Sequence, residues 1–188
     1  MILTHGEQFT KNLIKGTMKL LALLIDWNDL TYFEPMVETF KGSIAHETYR
    51  IGGFYCIGAI CGKGMAEDQK IQKIKDIGYL EILSKVEIKF REFSYDLDMD
   101  EQKEEKKFLI AVGSSVNHIG KWCLSFQGGW EGKLAENEQL RNDLIALTDA
   151  LANKAIDLLD TDKCEIGFSA IDFLTNWVQF FTKRQDLN

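Results

Sequence analysis

The feature that most restricts the fold of this chain is a leucine stripe toward its C-terminal end. Between Lys133 and Asp160, Leu140, Leu144, Leu147, Leu151, Ala155 and Leu158 recur at steps of three and four residues, the spacing that puts side chains on one face of an α-helix. Ile145, Ala152, Ile156 and Leu159 broaden that face. A stripe so wide predicts burial against a sheet or against two other helices. The rest of the chain must therefore supply a broad apolar partner.

Other helices can be read by the same rule. A terminal helix is expected over about Gly167 to Lys183, with Ala170, Phe173, Leu174, Trp177, Val178 and Phe181 on one side, Phe180 widening it, and Lys183 and Arg184 suited to the negative end of its dipole. A first helix from about Glu7 to Trp27 places Leu13, Ile14, Met18, Leu21, Leu24 and Ile25 on one face and Lys11, Lys15 and Lys19 on another. Tyr32 to Phe40 suits a short helix with Pro35 near its start. Ile71, Ile74 and Ile77 mark a helix over Ala66 to Ile77 that stops at Gly78. Ile44 to Cys61 is divided: Tyr49, Ile51, Phe54, Tyr55 and Ile57 favour a strand, whereas the spacing of Gly52, Gly53, Gly58 and Gly62 suits a closely packed helix, which is the preferred reading.

The middle of the chain changes period. Val86, Ile88 and Phe90 alternate with charged residues, and a one-residue slip restarts the alternation at Phe93, Tyr95 and Leu97, as in a bulged strand. Phe108 to Val112 and Lys121 to Phe126 read as two further strands joined through Gly113 and Gly120. With no linker or repeat in view, the expected fold class is α+β: a single globular domain over residues 1–188, helix-rich, with a small antiparallel sheet in the middle and two long C-terminal helices. An all-α bundle is the alternative if the middle segments are helical.

Composition narrows the function classes. The chain has 188 residues, 45% hydrophobic and 11% aromatic, enough for a sizeable core. Its 22 basic and 29 acidic residues give a net charge of −7, which argues against a general nucleic-acid binder because phosphate neutralisation needs a dense basic face. The longest uncharged apolar stretch, Ile51 to Gly62, is well short of the roughly 20 residues that cross a bilayer as a helix. The N-terminus lacks the basic region of a secretory signal, so a cytoplasmic location is expected. Cys56, Cys61, Cys123 and Cys164 are too sparse for a disulfide scaffold and are expected to be free thiols, with Cys164 in a polar turn the most exposed.

The motifs that would carry chemistry each fail on spacing. Asp96, Asp98 and Asp100 begin like a calcium loop, but Glu101 stands where the turn needs glycine and Lys107 where a bidentate glutamate is needed. Gly58, Gly62, Lys63 and Gly64 suggest a phosphate loop, yet Gly58 and Gly62 bracket three residues and Gly64-Met65 follows Lys63 where a magnesium-binding Ser or Thr should come. His46, Cys56, Cys61, His118 and Cys123 have zinc-ligand chemistry without zinc-site spacing. Cys123 with His118 or His46 is the candidate nucleophile pair, and Ser114 and Ser115 lack an elbow context. No catalytic residue, metal ligand or cofactor is assigned.

Charge distribution is the more informative signal. Residues 131–165 carry nine acids and four bases, so 4 − 9 = −5 of the net charge lies there. Asp149, Asn153, Asp157 and Asp160 follow at helical steps opposite the leucines. The leading expectation is a regulatory, non-enzymatic protein-binding factor, such as an adaptor, inhibitor or immunity-type protein. Its acidic helical face, with Trp177 and Phe180, would meet a basic protein surface. One alternative is a small-ligand sensor or carrier with an apolar pocket lined by Tyr55, Phe90, Trp122 and Phe126. Another is a cysteine-dependent enzyme, and self-association stays open.

Overall fold

The computed structural model describes residues 5–88, 99–129, 137–161 and 163–185. Two compact units are present, Met1–Gly64 and Met65–Asn188. Among the described residues every regular element is helical, so the fold is all-helical and the expected α+β arrangement with a central antiparallel sheet is overturned.

The first unit contains α1 (His5–Trp27), two short 3-10 turns (Leu30–Tyr32 and Glu34–Met36), α2 (Val37–Ile44) and α3 (Arg50–Gly62). Asp29 caps the first turn by accepting from the Thr31 N–H at 2.9 Å and the Thr31 hydroxyl at 2.8 Å. These bonds, the backbone one first, hold its carboxyl below the ordinary range. Pro35 sits in the opening positions of the second turn, where a missing N–H costs little.

The divided segment of the sequence is helix α3, and it packs on both α1 and α2. Glycine explains how. A Cβ on Gly52 would strike the Met18 side chain of α1, and one on Gly53 would come within 2.7 Å of the Phe40 carbonyl of α2. These bare positions let α3 approach its neighbours closely, and Phe54, Ile57, Ile60 and Cys61 are buried with Met18, Ile25, Phe33 and Phe40.

The second unit contains α4 (Glu67–Ile77), α5 (Tyr79–Ser84), α6 (Met99–Gly129), α7 (Glu138–Leu159), α8 (Cys164–Phe168) and α9 (Ile171–Gln185). Helix α4 ends at Gly78, whose φ of 70° is left-handed, a conformation that glycine adopts without the clash a Cβ brings. Ile71, Ile74 and Ile77 are buried as their spacing requires.

The largest correction is α6. The expected strands Phe108 to Val112 and Lys121 to Phe126 both belong to this single 31-residue helix. Phe108, Leu109, Val112, Val116, Ile119, Cys123 and Phe126 are all buried, and the steps of three and four from Leu109 onward suit a helix. Gly113 and Gly120 are not turns. Seven residues apart, they share the packed face of α6, where a Cβ on Gly113 would collide with Ser169 and one on Gly120 with the Phe173 ring. Of the bulged-strand segment, Val86 to Ile88 has no strand conformation and the remainder, including Phe90, Phe93, Tyr95 and Leu97, lies outside the described residues.

Helix α7 starts at Asn137, whose side chain accepts from the Leu140 N–H at 3.0 Å. It buries Leu144, Leu147, Leu151, Ala152, Ala155 and Leu158 against α6 and α9, with α8 bridging α6 and α7. The partner of the leucine stripe is thus a set of helices and not a sheet. Helix α9 is fixed from outside itself: Asn117 of α6 accepts from the Phe173 N–H at 2.7 Å, satisfying a donor in the first turn that has no partner within its own helix.

Candidate functional site

The outer face of α7 carries the predicted acidic row. Asp149, Asn153 and Asp160 are exposed, while Asp157 is half-buried and lies 3.9 Å from the Lys154 ammonium. Lys154 also donates to the Val86 carbonyl at 3.1 Å, tying the segment after α5 to α7.

Two residues that the sequence reading placed in the core stand among the acids. Ile145 is 42% exposed and Ile156 49%. In the order Ile145, Asp149, Asn153, Ile156, Asp160 the steps are four, four, three and four, so all share one helix face. Leu159 is exposed near its end. The width of the apolar stripe is therefore not all core: part of it forms a mixed acidic and apolar surface.

The position of Asp160 is unfavourable for the helix itself. The last turn of α7 holds no basic residue, and Asp160 is its C-cap, where the partial negative charge of the carbonyl end repels a carboxylate by about 0.3–1 kcal/mol.

Trp177 and Phe180 lie half-buried on α9. Trp177 packs tilted on Phe181 at 5.2 Å, and Phe180 meets the same ring edge-on at 5.5 Å. They form one α9 aromatic cluster with Val178 and Phe181 exposed beside it.

The residues of the expected apolar pocket are distributed differently. Trp122 and Phe126 stack at 5.5 Å on α6, and the buried Lys70 of α4 places its ammonium 4.6 Å above the Trp122 ring, a cation–π contact. Tyr55 belongs to the first unit and Phe90 lies outside the described residues. A groove of about 610 Å³ does run between α4 and α7, with Asp68, Gln72, Asp76, Asn137, Gln139 and Asp143 among its walls. Most of the residues that line it are polar. Lys75 of α4 reaches Asp143 of α7 at 2.8 Å, and that hydrogen bond holds the Asp143 carboxyl below the ordinary range.

Three of the four thiols, Cys56, Cys61 and Cys123, are core groups. Burial pushes Cys123 up to about 12, and Cys56, which donates to the Met18 carbonyl at 3.4 Å, also to about 12. A thiol so perturbed is almost wholly protonated near neutrality and is a poor nucleophile. Beside Cys123, Gln127 donates to Thr148 at 3.0 Å and Thr148 donates to the Leu144 carbonyl at 2.7 Å, a satisfied polar seam between α6 and α7. His118 is exposed on α6, whereas His46 belongs to the first unit. Ser115 shares a 2.8 Å hydrogen bond with Tyr79 in the core, and Ser114 is exposed.

A thiol titration of the native chain should find one fast-reacting cysteine, Cys164, which is exposed. Cys56, Cys61 and Cys123 are buried and should react only on unfolding. Fast labelling of Cys123 in the folded chain would contradict its placement.

Lys63, the lysine of the failed phosphate-loop pattern, has a structural role. Its ammonium donates to the carbonyls of Ile25, Asp26 and Asn28 at 2.6, 2.9 and 2.6 Å, neutralising the C-terminal end of α1. Of the calcium-like acids, Asp96 and Asp98 lie outside the described residues, and Asp100, at the start of α6, is 3.4 Å from the Lys103 ammonium. Among the described residues no three His, Cys, Asp or Glu side chains converge as metal ligands, and no helix is long and apolar enough to cross a membrane.

The chain matches no protein-family model and no curated protein.

Proposed function

We propose that this chain is a non-enzymatic protein-binding factor that docks a basic polypeptide on the outer face of α7. The observation that carries the reading is the row Ile145, Asp149, Asn153, Ile156 and Asp160, in which two exposed isoleucines share a face with two carboxylates and an amide. The isoleucines offer contact area that water does not favour. The acids select for positive charge and speed its approach over a Debye length. An acid at the C-cap of α7 opposes the helix dipole, so its presence there is better explained by a partner than by helix stability.

The reading separates binding from folding. In the double variant Asp149→Lys/Asp160→Lys, the helix should be retained, and its stability unchanged or slightly raised because a cation replaces an anion at the carbonyl end. Capture of the partner should fall at least tenfold. The test uses tagged full chain in extract of its own host at low salt, compared with the variant and with Glu38→Lys, an exposed change on α2 in the other unit. A basic protein recovered by wild type and by the Glu38 variant, and lost with the double variant, is expected. Equal recovery by all three would reject the α7 face.

A further inference from the structure

We infer that α1 pairs with α1 of a second copy of this chain, the two helices running antiparallel. The inward face of α1 contributes Met18 and Ile25 to the core. A second, outward apolar face remains. Trp27 is 84% exposed and Phe9 70%, and Leu13, Leu20 and Leu23 are each more than half exposed. With Gly16, the series 9, 13, 16, 20, 23, 27 advances by four, three, four, three and four residues. That is the alternation of a two-helix seam, sustained over about 27 Å of helix.

The seam is complementary to itself only in one direction. About a two-fold axis, positions whose numbers sum to 36 face each other, which sets Trp27 against Phe9, Leu23 against Leu13, and Leu20 against Gly16. The last pair matters most. A Cβ on Gly16 would meet nothing within 4 Å, so the seam has an open notch on either side of the axis, and each notch faces a leucine of the other copy. In a parallel pair the two glycines would face each other and leave a gap. Lys19 flanks the axis, where its long stem lets the two ammonium groups diverge into water.

Size supports a second copy as the occupant. The outward side chains present on the order of 600 Å² of apolar surface per copy, taking 150–250 Å² for a whole aromatic. That equals or exceeds the largest patch usual on a monomer, about 300–600 Å². Doubled, it reaches about 1,200 Å², the lower bound of a stable interface.

The test is sedimentation equilibrium of the full chain over the micromolar range. Wild type should show twice the 21.5 kDa chain mass, and Leu20→Glu/Leu23→Glu should show the monomer with an unchanged helical circular dichroism spectrum. In a Cys164→Ser background, Leu13→Cys mixed with Leu23→Cys should oxidise to a disulfide-linked pair, while either variant alone should not. A monomeric wild type, a dimer that survives the two glutamates, or efficient linking of Leu13→Cys to itself would each overturn the pairing. So would a wild-type monomer that binds anionic vesicles through the same residues.

Discussion

Replacing Phe173 by alanine is expected to lower the unfolding free energy of the 65–188 unit by about 3–5 kcal/mol. The ring is fully buried where α9 crosses α6. It occupies the space left by the missing side chain of Gly120. Collapse around the vacated volume is hindered because the Phe173 N–H is held by Asn117 of α6 at 2.7 Å. The truncation therefore costs both the transfer energy of the ring and a cavity term. Urea unfolding followed by circular dichroism measures the loss, and a change below about 1 kcal/mol would show that α9 does not seat its ring on α6.

Changing Gly120 to alanine is expected to destabilise by about 1–3 kcal/mol, against the rule that alanine improves a helix interior by about 1 kcal/mol over glycine. The sign reverses because the added methyl group would stand inside the Phe173 ring position. A planar ring within a packed core has little room to yield. The two effects must be coupled. In a Phe173→Ala background the same Gly120→Ala change should become neutral or stabilising, giving a double-mutant interaction energy within the range of residues in contact. Stabilisation by Gly120→Ala in the otherwise unaltered chain would contradict the close approach of α6 and α9.

Gly113 and Gly120 also show why the middle of the fold is not legible in the sequence. Gly113 and Gly120 have the local signature of turns, and the short apolar runs beside them suit strands as well as buried helix. What decides between the readings is tertiary: Ser169 and Phe173 lie more than fifty residues away in sequence and fill the spaces that the glycines leave. Where a helix signals its ends locally, the sequence suffices. The stop at Gly78 and the buried Ile71, Ile74 and Ile77 follow from spacing and one left-handed residue.

The candidate site was half legible. The row Asp149, Asn153, Asp157 and Asp160 is a matter of helical period, but Ile145 and Ile156 were assigned to the core because an apolar residue at the edge of a stripe carries no sign of which side it faces. The same ambiguity hid α1. Leu13 and Leu24 were grouped with Met18 and Ile25 as one buried face, whereas Leu13 and Leu24 are exposed and only Met18 and Ile25 of that group are fully buried. The four-three alternation of Phe9, Leu13, Gly16, Leu20, Leu23 and Trp27 was the available signal, broken to the eye by the glycine in its middle.

The claim that α7 docks a basic partner is tested most directly by a photo-crosslinking amino acid at Asn153, which is exposed at the centre of the row, introduced into the full chain in its own host. Mass spectrometry of the crosslinked product should identify one basic polypeptide, joined through a segment rich in lysine or arginine, and the crosslink should vanish when Asp149 and Asp160 are changed to lysine. A crosslink that persists unchanged in that variant, or no product at Asn153 above that from a probe at the exposed Ser114 of α6, would contradict the account.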